Sequence, residues 1–134
     1  MGESMIVVDA TNQVLGRLCS EVAKKLLKGE KVIVINAEKS IISGDPKVVV
    51  ERYRKKKQRG NPHHGPYYPK TPAGILKRCV RGMVPRKKSK GREAIKRLKV
   101  YAGNPENLEG IKITKTKDEL LCKYITLEDL CKQI

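Results

Sequence analysis

The first third of the chain changes from a strand pattern to a helix pattern and back. Residues 5–8 form a short apolar run, and the polar residues 11–13 offer candidate helix caps. Apolar pairs then recur every four residues, at Val14/Leu15, Leu18/Cys19, Val22/Ala23 and Leu26/Leu27. This spacing places them on one face of a helix, which Gly29 is suited to end.

Residues 31–36, KVIVIN, are almost continuously apolar, which is typical of a strand buried on both faces of a parallel sheet. A right-handed crossover through the helix would make this strand parallel to the one at 5–8. The sequence therefore predicts an α/β protein. Nucleotide binding is an obvious hypothesis, but the first turn has one glycine, Gly16, and no Gly-x-Gly-x-x-Gly or Walker sequence. Gly16 with Arg17 indicates either a close helix contact or a clamp for a single phosphate.

Two further helices begin with a capping residue followed by proline. Asp45 and Pro46 predict a helix over 46–58, after a short strand at 40–43, with Val48, Val49 and Tyr53 as its apolar anchor. Thr71 and Pro72 predict a second helix, whose apolar face consists of Ile75, Leu76, Cys79, Val80 and Met83.

After a break at 82–85, residues 86–90 predict a basic loop, and residues 91–99 predict another helix. In that helix Ala94, Ile95 and Leu98 should point inward, and Arg92, Lys96 and Arg97 outward. Residues 111–117 alternate weakly, as an edge strand does. Thr126 and Asp129 have capping-box spacing, so residues 127–134 should form a short helix that packs on the domain or on a protein partner.

Composition limits the chain to one domain, residues 1–134, with a modest core of Val, Ile and Leu because Trp and Phe are absent. We find no membrane-spanning run and no signal-peptide layout, so we expect an intracellular protein. The cysteines Cys19, Cys79, Cys122 and Cys131 lack the paired spacing of zinc sites. We expect buried or idle thiols, no metal and no cofactor.

The charge is concentrated in one segment. Residues 51–100 contain eighteen Lys and Arg against Glu51 and Glu93, and this segment accounts for the formal net charge of +16. A single charge run is usually a solvated face, but this concentration repels itself unless a polyanion neutralises it. Nucleic acid is the polyanion that we predict. The loop 61–71, NPHHGPYYPKT, is either a segment that stacks on unpaired RNA bases or a plain surface loop.

Several segments of the sequence resemble one family, the thirteenth protein of the large ribosomal subunit. In the basic half these are residues 81–85, RGMVP, the basic loop, and residues 98–103, LKVYAG. In the N-terminal half they are Asp9-Ala10, Leu15-Gly16-Arg17-Leu18, Val34-Ile35-Asn36-Ala37-Glu38 and Ser43-Gly44. The similarity runs collinearly over about residues 5–105. The loop at 61–69 is similar to the archaeal and eukaryotic branch, and the lack of a long C-terminal extension favours the archaeal form.

The resemblance implies a three-layer α/β/α fold with a small, mainly parallel four-stranded sheet and a basic helix-loop-helix region. It also implies a structural, non-catalytic role: binding of large-subunit ribosomal RNA during assembly and contact with neighbouring ribosomal proteins. It implies no small-molecule substrate. The residues that we predict to contact RNA are Arg17, Arg52, Lys55, Lys56, Lys57, Arg59, His63, His64, Lys77, Arg78, Arg81, Arg86, Lys87, Lys88, Lys90, Arg92, Lys96 and Arg97.

Two other classes of protein fit the sequence less well. A nucleotide-dependent enzyme lacks its phosphate-loop glycines here, and no His lies near a plausible carboxylate pair. A DNA-binding or chromatin protein is compatible with the charge, but the chain has no helix-turn-helix, finger or dimerising heptad signature. The ribosomal hypothesis therefore leads, with another basic nucleic-acid-binding protein as the alternative.

Overall fold

The computed structural model describes residues 5–58, 71–85, 87–111 and 123–134, with the backbone alone at 56–58. The strands are β1 (Met5–Asp9), β2 (Lys31–Ile35), β3 (Ile41–Ser43), β4 (Leu98–Val100) and β5 (Tyr124–Thr126). The helices are α1 (Leu15–Leu27), α2 (Pro46–Gln58), α3 (Pro72–Arg81), α4 (Ser89–Lys96) and α5 (Leu127–Gln133), with a 3₁₀ turn at Ala37–Lys39.

The predicted strand–helix–strand unit is confirmed. β1 pairs with β2 in parallel, from Met5 opposite Lys31 to Asp9 opposite Ile35. Gly29 ends α1 as predicted, since it adopts a φ of 96°, a conformation that is strained for residues with a side chain. The predicted polar caps are wrong. Val14 holds the cap position without a side-chain bond, because Thr11 instead bonds to the Asp9 carboxylate.

The sheet differs from the one that the resemblance implies. In the described part of the chain, β1, β2 and β4 form a three-stranded parallel sheet, and not a four-stranded one. β3 pairs with β5 in a separate antiparallel ribbon. The other edge of β3 is occupied too, because the Ile41 N–H donates to the Gln13 carbonyl over 2.9 Å. The three-layer arrangement stays a prediction.

The helix predicted over 91–99 is wrong at both ends. α4 starts earlier, at Ser89, and it ends at Lys96, after which the chain becomes β4. Leu98 is buried as predicted, but it pairs with Val32 in the sheet. The Val32 N–H also donates to the Arg97 carbonyl over 3.1 Å. Sheet pairing has therefore overridden a local pattern that also suited a helix.

The other predicted helices are present, with two corrections to their apolar faces. In α2, Val49, Val50 and Tyr53 are buried, whereas Val48 is 61% exposed because it lies outside their face. Met83 is exposed because α3 ends two residues before it.

Three predicted helix caps are confirmed. At the start of α2, Asp45 Oδ1 accepts from the Lys47 N–H over 3.0 Å. Thr71 Oγ1 accepts from the Gly74 N–H, and Thr126 Oγ1 accepts from the Asp129 N–H, each over 3.2 Å. All three bonds satisfy N–H groups that have no partner within their own helix.

The core brings the two halves of the chain together. The apolar face of α1 packs on α3 and α4 and on β2, while α5 packs on α2 and on the 3₁₀ turn. Ile111 forms one parallel bridge with Val8, and the rest of the predicted edge strand, 112–117, lies outside the described residues. Within the described ranges, no helix has both the length and the apolar character needed to cross a membrane.

Candidate nucleic-acid interface

Helices α3 and α4 turn their basic side chains away from α1. On α3, Ile75, Leu76 and Val80 are buried, and on α4, Gly91 and Ala94 are buried. The basic residues of these helices and of the turn before α4 lie at other positions, and those of the following set are all exposed. They form what we call the α3–α4 patch: Lys77, Arg78, Arg81, Lys87, Lys88, Lys90, Arg92 and Lys96.

The turn between the two helices is held in place by backbone contacts. The Lys88 N–H donates to the Pro85 carbonyl over 3.0 Å, and Val84 is buried beneath the turn. Gly91 lies so close that an added Cβ would be 2.0 Å from the Pro85 oxygen. The predicted basic loop 86–90 ends earlier than expected, because Ser89 and Lys90 already belong to α4. Arg86 lies outside the described residues.

The N-terminus of α4 has an unfavourable charge distribution. Its cap residue is Lys88, which makes no side-chain capping bond, and the first turn contains no acidic residue. Lys87 and Lys90 flank it and are exposed. A helix N-terminus carries a partial positive charge and unpaired N–H groups, so cations there are destabilising and an anion is stabilising. This end of α4 is suited to a phosphate group.

Most of the exposed cations of the α3–α4 patch make no ion pair with the residues that the structure describes. Lys77, Arg81, Lys87, Lys88, Lys90, Arg92 and Lys96 have no carboxylate partner among the residues that the structure describes. The ion pairs Lys24–Glu21 and Lys132–Glu128 are each formed within one helix, α1 and α5, and involve no residue of the basic segment 51–100. Glu93 on α4 is the one carboxylate on the described parts of these two helices, so the patch stays strongly positive.

Arg97 does not point outward as predicted. It is half-buried, and its Nη2 donates to the Leu26 carbonyl over 2.6 Å. This bond joins the last turn of α1 to the start of β4, where a cation is favourable beside helix carbonyl groups. We therefore assign Arg97 to the fold and leave it out of the interface.

The basic residues of α2 lie on a second surface. α2 packs on β5 and α5, and the Arg54 Nε donates to the Gln133 carbonyl over 2.8 Å. Arg52 and Lys55 are exposed on this helix, and Arg17 is exposed on α1. The side chains of Lys56 and Lys57, and all of Arg59, His63 and His64, lie outside the described residues.

Sequence reasoning missed a shallow cleft of about 420 Å³ between the end of α3 and one face of α4. Its lining residues are Arg81, Gly91, Arg92, Ile95 and Lys96. The charges of these residues are evident from the sequence, but the cleft depends on how the two helices meet. From the sequence, helical spacing predicts only that residues 91, 92, 95 and 96 share one face of α4.

The carboxyl ends of the parallel strands, where nucleotides bind in many α/β proteins, are occupied by the chain itself. Asp9 Oδ1 accepts from Thr11 and from the Asn36 amide, the latter over 3.1 Å. Gly110 crosses so closely that an added Cβ would lie 2.8 Å from the Asp9 nitrogen. Gly16 is exposed with no atom within 4 Å of an added Cβ, so the close helix contact predicted for it is wrong.

Cys19, Cys79 and Cys131 pack in or against the core, and Cys122 lies outside the described residues. Cys19 is buried, and its Sγ donates to the Leu76 carbonyl over 3.7 Å, joining α1 to α3. A hydrogen bond with Cys79, together with burial, raises the pKa of the Cys19 thiol. Burial raises the pKa of Cys131 from 9.0 to about 11. In the described ranges, no three His, Cys, Asp or Glu side chains are grouped as metal ligands.

Comparison with known proteins assigns the family. The family model described as "Ribosomal protein L13" matches residues 3–107. Three archaeal relatives share the name "Large ribosomal subunit protein uL13". The protein from Archaeoglobus fulgidus is 46% identical, over all of this chain and 90% of the relative. The protein from Methanocaldococcus jannaschii is 46% identical over 97% of both chains.

The third relative, from Haloarcula marismortui, is 41% identical over 96% of this chain and 90% of its own length. These alignments cover the α3–α4 patch as well as the N-terminal α/β unit. The resemblance found in the separate sequence segments therefore extends along nearly the whole chain. On the family match and these identities, the chain belongs to the ribosomal protein L13 family.

Proposed function

We propose that this protein is a structural constituent of the large ribosomal subunit in the cytoplasm. It binds large-subunit ribosomal RNA through contacts of Lys and Arg with phosphates, and it supports subunit assembly. Membership in the family and the shared name of the relatives support the ribosomal part of this proposal. The α3–α4 patch supports the RNA-binding part.

The observation that carries the proposal is the charge at the start of α4. Lys87, Lys88 and Lys90 surround a helix N-terminus that has no acidic residue in its first turn. Three cations in this position oppose folding, and each costs about 0.3–1 kcal/mol at an exposed site. A bound phosphate reverses this effect, because it pairs with the lysines and accepts from the free N–H groups. The arrangement is unfavourable in the free protein and favourable on RNA.

The burial of the core supports the proposal that one set of residues stabilises the fold and another set binds RNA. The apolar faces of α1 and α3 are buried against each other, so they are not available to RNA. α5 has Leu127 and Leu130 buried and packs on α2, which matches the prediction that this helix packs on the domain. Contacts with neighbouring ribosomal proteins would then use other surfaces, such as exposed positions of α2.

The test replaces Arg86, Lys87, Lys88 and Lys90 together with Ser and measures binding to a large-subunit RNA fragment over a series of salt concentrations. We expect weaker binding and a shallower salt dependence, with the slope reduced by about one for each phosphate that the variant no longer binds. The melting temperature should stay the same or rise. A duplex DNA of equal length serves as the comparison for a general nucleic-acid binder.

In cells, the wild-type protein should sediment with large subunits, and the quadruple variant should be depleted from them. If the variant binds the RNA fragment and enters large subunits as the wild type does, the segment 86–90 is only a connector. Arg52 and Lys55 on α2 would then be the next residues to replace.

A further inference from the structure

The cleft between α3 and α4 differs from a similar cleft of about 450 Å³ on α2, because Glu51 lines the cleft on α2 and no acidic residue lines this one. Arg81, on the last turn of α3, forms one wall, and Arg92 and Lys96 lie on the facing side of α4. Ile95 also lines the cleft and is half-buried, which gives the lining an apolar surface. At about 420 Å³, it lies in the lower part of the range of about 300–1,000 Å³ that small-molecule pockets occupy.

The lining has one sign of charge. Arg81, Arg92 and Lys96 contribute three cations, and no acidic residue lines the cleft. None of the three has a carboxylate partner among the described residues. A ligand here is therefore anionic, and it must also present an apolar surface to Ile95. A regular duplex backbone meets the first requirement but not the second, because its outward groups are phosphates and sugars.

The cleft is also built rigidly. Gly91 packs against the Pro85 carbonyl at a distance that excludes a Cβ, so α4 cannot move toward the turn. Ala94, one turn along from Gly91, is fully buried against the core. A preformed site loses less conformational entropy on binding than a site that must be ordered by its ligand.

We propose that this cleft binds one unpaired nucleotide of RNA. The base lies on Ile95 between the guanidinium planes of Arg81 and Arg92, and Lys96 contacts an adjoining phosphate. Arginine suits this role because its planar group stacks on bases and also pairs with phosphate, whereas a lysine ammonium is a point charge. The inference rests on the proposed function and adds the kind of RNA element that is recognised, an extruded base.

The test compares two short oligoribonucleotides of equal length and charge, an oligoadenylate and the same backbone carrying abasic residues. Stacking is commonly strong enough to change affinity about five-fold or more for each base. We expect the wild-type protein to prefer the oligoadenylate by at least this factor. The methyl resonances of Ile95 should shift on addition of the oligoadenylate and should not shift on addition of the abasic strand.

Conservative variants test whether the preference for the base-containing strand depends on the arginines of the cleft. Arg81→Lys and Arg92→Lys keep the charge, so they should leave the salt dependence unchanged while reducing the preference for the base-containing strand. Both side chains are exposed, so these variants should fold as the wild type does. Arg54→Lys is the matched control, because it makes the same change on α2 at an arginine that bonds to the Gln133 carbonyl and is not among the predicted RNA contacts, and it should retain the full preference.

Three outcomes would overturn the inference. If the wild type binds both strands equally with a steep salt dependence, phosphate binding stands and the nucleotide site does not. If neither strand binds at low salt, the proposed function fails together with the site. If oligoglutamate displaces the oligoadenylate with comparable affinity and shifts the same Ile95 resonances, the cleft belongs to an acidic protein segment.

Discussion

Replacing Lys88 with Asp should stabilise the folded protein while it weakens RNA binding. Lys88 occupies the cap position of α4 with an extended backbone, at φ −101° and ψ 149°, which is the conformation that a capping Asp adopts. An Asp side chain there can accept from the N–H of Lys90 or Gly91, which lie two and three residues further on. It also places a negative charge where the helix dipole favours one.

The magnitude follows from two contributions. A capping bond is worth about 0.5–2 kcal/mol. Removing a cation from the N-terminus of a helix, and adding an anion, is worth about 0.3–1 kcal/mol for each change. These contributions share the same N–H groups, so they do not add fully, and we expect a gain of about 1–2 kcal/mol. For a domain of this size, this corresponds to a rise of roughly 2–10 °C in melting temperature.

The assay pairs thermal melting with RNA affinity measured over a series of salt concentrations. Lys88→Ala serves as the comparison, because it removes the cation without adding a cap or a negative charge, so it should weaken RNA binding less than Asp does and gain less stability. Lys28→Ser is the second control. Lys28 caps the C-terminus of α1, where a cation is favourable, so this change should lower stability slightly and leave RNA affinity unchanged. A lower melting temperature for Lys88→Asp, or unchanged RNA binding, would refute the reasoning about α4.

Four other predictions test separate parts of the structure. The logarithm of the RNA affinity should fall linearly with the logarithm of salt concentration, by about 0.9 for each phosphate engaged, and a flat dependence would contradict the electrostatic proposal. Leu18→Ala or Leu76→Ala should lower the free energy of unfolding by about 2–5 kcal/mol, because both side chains are fully buried, while RNA affinity per folded molecule stays constant. Gly91→Ala should lower the melting temperature despite the better helix propensity of Ala, because of the Pro85 oxygen, whereas Gly16→Ala, which meets no atom, should raise it. Because burial raises the pKa of Cys131, its contribution to stability should be complete below pH 9.0 and lost as the pH rises through about 11, a loss that Cys131→Ala should not show in pH-dependent melting.

The sequence predicted elements best where local signals agreed with one another. The four-residue apolar repeat of α1, the Gly29 stop and the apolar run of β2 each point to the structure observed. The caps at Thr71 and Thr126 were also predictable, because a capping bond involves residues only three apart. The family was identifiable from short segments because they occur in the same order along the chain.

Other features depended on contacts between distant parts of the chain. Residues 98 and 99 continue a helical pattern, yet they belong to β4 because β2 offers a parallel edge. Arg97 looked like one more surface cation, and only the approach of α1 gave it a carbonyl to bind. β3 pairs with β5, more than eighty residues away, which no local pattern indicates.

The candidate interface was also predicted in part by the sequence and decided in part by the tertiary structure. The positions of Lys and Arg along the chain were enough to locate the basic segment 51–100, since the charge of a segment does not depend on how the chain folds. The tertiary structure separated it into the α3–α4 patch and the α2 surface, because α3 and α4 pack on α1 while α2 packs on β5 and α5. It also brought Arg81 of α3 to the same cleft as Ile95 and Lys96 of α4, since this cleft exists only where the two helices meet. The sequence thus determined the sign and amount of charge, and the packing of the core decided where each charge lies.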